Sequence, residues 1–188
     1  MDEIILEISD RTEFRKWLSA HPDCPACRVA VKRGRPADDG AFYYLDAVEE
    51  ALCFGWIDSI CKIIDGIPMQ RFSPRKKYSP WSELNKERVR RLEKLGLMTE
   101  RGRVVLPKMG PRSFRADPEI EAALKQARVW TAFRKFHPLY QRVRLYNLAF
   151  CRKNNPAAFG RSLDHLITET RKGRMFGEWN DYGRLLDY

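Results

Sequence analysis

Ile4, Leu6 and Ile8 alternate with acidic residues, the period-2 pattern of a short strand. Phe14, Trp17 and Leu18 then share one face of a helix that Asp10 or Thr12 can cap and His21-Pro22-Asp23 ends. Val29 and Val31 predict a strand over 28–32. The turn Ala37-Asp38-Asp39-Gly40 leads to a second strand over 41–45, making a hairpin with a long loop. Asp46 opens the next helix, with Glu49 as its capping-box partner and Val48, Ala51, Leu52 and Gly55 along the buried face. Segments 57–64 and 67–72 read as two strands joined by an Asp65-Gly66 hairpin turn.

Beyond Pro74 the period changes to that of helices. Ser79-Pro80 reads as an N-cap followed by proline at the first helical position, with Trp81, Leu84, Arg88, Leu92 and Leu95 on one stripe and Gly96 as the stop. A short helix is expected over 99–106. Asp117-Pro118, Pro138 and Asn155-Pro156 each open a further helix; the first carries Ile120, Leu124, Ala127 and Trp130, and the last ends at Gly173. The fold class is therefore α+β: a small, mostly antiparallel sheet with packed helices over 1–106, a linker over 107–118, and an all-helical part over 119–188.

The chain of 188 residues is 44% hydrophobic and 32% charged, which excludes a disordered protein. A chain of this size can bury about 70% of its extended surface, enough for a full core. No apolar stretch is long enough to span a bilayer, so no membrane insertion is expected. The start, Met1-Asp2-Glu3, is acidic where a secretory signal needs positive charge, and the expected location is the cytoplasm. The expected assembly is a monomer or homodimer.

The net charge of +10 is unevenly spread. Residues 1–70 hold 8 Lys/Arg and 13 Asp/Glu, residues 71–112 hold 13 and 4, and residues 113–188 hold 14 and 8. This asymmetry has two readings, an anionic partner or solvated helix faces. Five cysteines, an odd number, argue against structural disulfides. His21, Cys24 and Cys27 supply three spaced zinc-ligand types without a second half to the motif, so free loop thiols are expected and neither metal nor cofactor. Arg33-Gly34-Arg35-Pro36 matches the core of a minor-groove hook, but it lies between two predicted strands and before Asp38-Asp39, which favours a turn.

The densest chemistry runs from Trp56 to Asn85. Trp56, Asp58, Lys62, Arg71, Arg75, Ser79, Trp81, Ser82 and Asn85 combine cations, a carboxylate, flat rings and neutral donors. If the hairpin forms, Asp58, Lys62 and Arg71 can lie on one face or at its end. The helix expected from Ser79 would then aim its N-terminal N–H groups nearby, and Trp56 or Trp81 would form a wall. Such a pocket suits a carboxylate or phosphate. The alternative is internal pairing of Arg71 and Arg75 with Asp58 and Asp65, and core tryptophans.

In this block Tyr44-Leu45-Asp46-Ala47-Val48-Glu49-Glu50-Ala51-Leu52-Cys53-Phe54-Gly55-Trp56-Ile57-Asp58, together with Arg71-Phe72-Ser73-Pro74-Arg75, Ser79-Pro80-Trp81-Ser82 and Gly96-Leu97-Met98, resembles the YdeI/OmpD-associated family of bacteriocin-protection-like bacterial proteins. The resemblance runs from about Phe14 to Gly102 and departs at Ser59, where the family favours glycine. It implies a small cytosolic bacterial protein linked to stress or resistance, and it supplies no reaction.

Two classes of function follow. The first is a binding protein for an anionic small molecule, or for nucleic acid through the basic two thirds of the chain. The second is an enzyme on a phosphate- or carboxylate-bearing metabolite, with Asp58 as general acid or base and the arginines as clamps. No nucleophile elbow, phosphate loop or zinc-protease motif is present.

Overall fold

The structure, a computed structural model, describes residues 3–110 and 113–188. Its elements are β1 (Ile4–Leu6), α1 (Arg11–Ala20), β2 (Cys27–Ala30), α2 (Tyr44–Cys53), β3 (Trp56–Ile64), β4 (Ile67–Pro74), α3 (Glu83–Lys94), α4 (Glu100–Val104), α5 (Pro118–Gln126), α6 (Trp130–Phe133), α7 (Pro138–Asn154) and α8 (Pro156–Arg171), then a 3-10 turn at Asp181–Gly183. The fold is α+β, with helices concentrated in the C-terminal part. The chain divides into two compact units: residues 1–80 with 88–107 and 188, and residues 81–87 with 108–187.

In the first unit the strand order is β1-β2-β4-β3. β2 runs parallel to β1 and antiparallel to β4, and β3 and β4 form the hairpin expected at Asp65-Gly66. The core face of the sheet carries Cys27, Val29, Gln70 and Phe72, all fully buried. Phe14 of α1 packs on Phe72 at 5.3 Å between ring centroids, which holds that helix to the central strands. Asp10 caps α1 as expected, accepting from the Glu13 amide at 2.9 Å.

Two local expectations give way here. The hairpin of 28–32 with 41–45 does not form. β2 is flanked by β1 and β4, and the β-pairing between the two segments is limited to the single parallel bridge Lys32–Tyr43. Phe42 and Tyr43 are instead buried, and the chain enters α2 at Tyr44, two residues before Asp46. Glu49 cannot close a capping box, because it is fully buried and committed to arginines. Arg11 Nη1 reaches Glu49 Oε2 at 3.1 Å and Arg91 Nη1 reaches Glu49 Oε1 at 2.7 Å. Neighbouring Glu50 takes Arg15 Nη1 at 2.7 Å and the Nε of Arg11. Burial pulls the Arg11 pKa down, but the Glu50 and Glu49 charges outweigh it and leave it raised.

Thr99 caps α4 and donates its hydroxyl to the Cys53 carbonyl at 2.6 Å, so α4 sits hard against the end of α2. A Cβ on Gly102 would stand 2.3 Å from that same carbonyl oxygen, which leaves room only for glycine.

The expected helix start at Ser79 is also corrected. α3 begins at Glu83, and Ser82 Oγ is its cap, accepting from the Asn85 amide at 3.1 Å. The Pro80 carbonyl, which a helix begun there would use internally, instead accepts from Arg75 Nη1 at 3.2 Å.

In the second unit Ile120, Leu124, Phe133, Leu139, Tyr140, Val143, Leu148 and Leu166 form one buried cluster. Asp117 caps α5 ahead of Pro118, as expected. Trp130 does not continue α5. Arg128 takes a left-handed φ of 58°, the helix stops at Gln126, and Trp130 opens the short α6. Among the described residues no helix is long and apolar enough to cross a membrane.

Candidate functional site

Side chains along a strand alternate between faces. Asp58 lies directly opposite Phe72 in the β3–β4 ladder, so it shares the core face. Arg71, the neighbour of Phe72, projects from the other face opposite Arg28. A bulge between Asp58 and Cys61 then shifts the register, and Lys62 pairs with Met69 on the Arg71 face, exposed. Asp58 and Arg71 therefore do not face one pocket.

Their partners differ accordingly. The Tyr44 hydroxyl donates to Asp58 Oδ2 at 2.6 Å. Arg71 and Arg28 both bind Glu3, with Arg28 Nε at 2.6 Å from Glu3 Oε2, and Arg71 also donates to Ser73 Oγ at 3.1 Å. The hydrogen bond from Arg71, with Arg28 beside it, holds the Glu3 carboxyl below the usual carboxylate range. Neither Asp58 nor Asp65 is the partner of Arg71.

Trp56 is buried with its ring edge-on to Trp17 at 5.9 Å, a core side chain and not a wall. Arg75 is buried and donates to Ser79 Oγ at 3.4 Å as well as to Pro80. Trp81, also buried, Ser82 and Asn85 belong to the second unit, whereas Trp56, Asp58, Lys62, Arg71, Arg75 and Ser79 belong to the first.

Around Asp58 the structure gathers residues that the sequence reading did not group with it. The Arg33 guanidinium stacks on the Tyr44 ring at 3.7 Å and donates to Gln70 Oε1 at 2.6 Å. Gln70 passes the chain on to the Ser59 carbonyl at 2.6 Å. Burial, with the Asp58 charge adding to it, pushes the Tyr44 hydroxyl up to about 12. Arg33 of the hook-like run is thus a structural side chain, and Lys32 pairs with Asp39 at 2.5 Å.

The cysteine run is equally committed. His21 stacks on Trp17 at 4.7 Å and bonds the Trp17 carbonyl through Nδ1 at 2.9 Å. Cys24 donates to the Ala26 carbonyl at 3.3 Å, and burial pushes the Cys27 thiol up to about 12. Among the described residues no group of three or more His, Cys, Asp or Glu is arranged to hold a metal ion.

The helical unit holds two cavities that the sequence reading missed. One, of about 170 Å³, opens between α7 and α8 and is lined by Arg144, Asn147, Leu148, Cys151, Ser162, His165, Leu166 and Phe176. Its lining residues follow helical spacing. Arg144, Asn147, Leu148 and Cys151 stand at i, i+3, i+4 and i+7 on α7, and Ser162, His165 and Leu166 at i, i+3 and i+4 on α8. Polar residues at those intervals were the available signal.

Arg144 lies over the Phe176 ring at 4.1 Å and the Tyr140 ring at 5.1 Å, and donates Nη2 to the Phe176 carbonyl. Burial pulls its pKa down, and the neighbouring Tyr140 hydroxyl opposes that only in part. Gly177, at φ 67°, makes room for it: a Cβ there would meet Arg144 Nη2 at 2.6 Å. The second cavity, of about 440 Å³, lies where α5, α6 and the start of α7 meet.

Residues 6–105 match the family model described as a domain of unknown function, DUF8412. No curated protein and no solved structure matches the chain. The match overturns the resemblance to the YdeI/OmpD-associated family, because the motifs that carry that resemblance fall within residues assigned to DUF8412. From residue 6 to residue 105, where strands β2, β3 and β4 and the Tyr44–Asp58 pair lie, the chain belongs to the DUF8412 family of domains of unknown function.

Proposed function

We propose that the protein binds a small anionic ligand in the cavity between α7 and α8. One observation carries the reading: Arg144 lines that cavity as a half-buried guanidinium with no carboxylate partner among the described residues. An arginine keeps its charge at any physiological pH, and a charge withdrawn from water is costly unless it is paired. The phenyl and phenol rings offset part of that cost, and an anion in the cavity would offset more. No acidic side chain lines the cavity, and Asn147, Ser162 and His165 add hydrogen-bonding groups. A volume of about 170 Å³ suits a phosphate or a short carboxylate better than a drug-sized molecule.

The enzyme reading through Asp58 has less support. That carboxylate is held by Tyr44, and Arg71 lies on the opposite face with Glu3. A polyanion reading also has less support, because many of the basic side chains are already spoken for. Arg91 is bound to buried Glu49, Arg103 to Glu93, and Arg142 to Glu87.

The test is titration with inorganic phosphate and with acetate at constant ionic strength, read by amide chemical shifts. Saturable shifts at Asn147, Ser162 and His165 are expected, and Arg144→Gln is expected to abolish them. Absence of saturation, or saturation that survives Arg144→Gln, overturns the reading.

A further inference from the structure

We infer that the larger cavity of the helical unit is a second ligand site, for a planar aromatic acid. Its walls are the rings of Phe114, Trp130 and Phe136, and Leu145 and Gln141 form its buried floor. At about 440 Å³ it falls within the range of small-molecule sites, ~300–1,000 Å³.

The cavity is held open by its own hydrogen bonds. Gln141 Nε2 donates to the Arg134 carbonyl at 3.1 Å and to the Phe136 carbonyl at 2.7 Å. That buried amide fixes the loop that places Arg134 and Phe136 at the cavity, so a ligand would bind without first ordering it.

The charged groups choose between ligand classes. Glu121 is paired with Lys125 at 2.7 Å, so its carboxylate is not available to a cation. Arg142 is paired with Glu87 at 2.8 Å and lies 3.5 Å from Glu83. Arg134 has no carboxylate partner among the described residues; its guanidinium stands 5.7 Å from the Trp130 ring centroid. Lys125 stands 5.8 Å from the same centroid. A cationic ligand would therefore meet a ring already served by two cations. A flat ring with a carboxylate can lie among the aromatic walls and place its charge on Arg134. This inference uses none of the residues of the Arg144 cavity and stands apart from it.

The probe is 2-naphthoate, compared with neutral 2-methoxynaphthalene and with 2-naphthylmethylammonium. Binding is read from the Trp130 indole N–H resonance of the full chain, assigned with Trp130→Phe. Saturable movement of that resonance is expected, with 2-naphthoate bound about fivefold more tightly than the neutral compound, as suits an exposed ion pair. Arg134→Gln, at an exposed position, is expected to remove that preference, and Arg144→Gln to leave it unchanged. An unmoved Trp130 resonance, equal affinity for acid and neutral compound, or tighter binding of the ammonium each overturns the inference. Loss of the preference in Arg144→Gln would place the anion at the other cavity and overturn it as well.

Discussion

The Tyr44 hydroxyl donates to Asp58 Oδ2 at 2.6 Å, joining the first turn of α2 to the edge strand β3 across the core face of the sheet. The pair makes Asp58 an internal acceptor and makes Tyr44 a proton holder. Burial, together with the Asp58 charge and hydrogen bond, keeps its phenol protonated to about pH 12, against 10.0 for a free tyrosine. A group whose folded pKa is raised contributes stability that is complete below its unfolded pKa. That contribution is lost as pH rises toward the folded value. Stability should therefore fall between pH 10 and 12. Cys27 and Cys53, both pushed by burial from 9.0 to about 12, start the decline near pH 9. Urea midpoints at pH 8, 9.5 and 11 should decrease in that order, and Tyr44→Phe should shallow the last step. A flat profile to pH 11 would contradict the assignment.

At neutral pH Tyr44→Phe removes one hydrogen bond to a charged acceptor, a loss of about 1.5–3 kcal/mol. Asp58→Asn, which keeps an acceptor oxygen, should cost less. Chemical denaturation of both variants measures the difference, and equal costs would mean that the hydrogen bond stabilises only through the carboxylate charge.

Glu49 is fully buried between Arg11 and Arg91. Removing the carboxylate leaves two guanidinium groups without it, and Glu49→Gln should destabilise by about 3–5 kcal/mol. Arg91→Met paired with Glu49→Met should cost less than the sum of the single changes, since each single variant strands a charge. Arg91 thus acts in stability although it lies in the most basic segment. Arg91→Gln should lower the melting temperature without changing the salt dependence of any DNA retention.

Gly102 faces the Cys53 carbonyl with no room for a Cβ. Gly102→Ala must displace backbone and not a flexible side-chain end, and should cost about 1–3 kcal/mol. Gly160, with nothing near its Cβ position, is the control: alanine there, inside α8, should be neutral to stabilising. Thermal unfolding of the two variants should move in opposite directions or at least separate by several degrees.

Gly177→Ala should drive a methyl group into the Arg144 guanidinium. Phosphate binding in the α7–α8 cavity should then weaken together with stability. Weaker stability with unchanged phosphate binding would detach Gly177 from the site.

Much of the local architecture was legible because its causes lie within four residues. Asp10 ahead of Phe14, Asp65-Gly66 between two apolar runs, and Asp117-Pro118 ahead of Ile120 each fix a cap or a turn through near-neighbour geometry. The α+β class followed from the change of hydrophobic period after Pro74. The pairings were not legible, because they join distant parts of the chain. Glu3 meets Arg71 across 68 positions and Gln70 meets Arg33 across 37. One strand bulge after Asp58 sends Lys62 to the other face. The cluster that was dense in sequence was therefore divided by strand parity, which places consecutive residues on opposite sides of a sheet. The Arg144 cavity was the reverse case: its residues are dilute in the sequence, and only the packing of α7 on α8 brings them together. Sequence determined where the chain turns and which faces are apolar, since those depend on local sterics and burial. Tertiary packing decided which charges are paired and which are left facing a cavity, since that depends on contacts between distant residues.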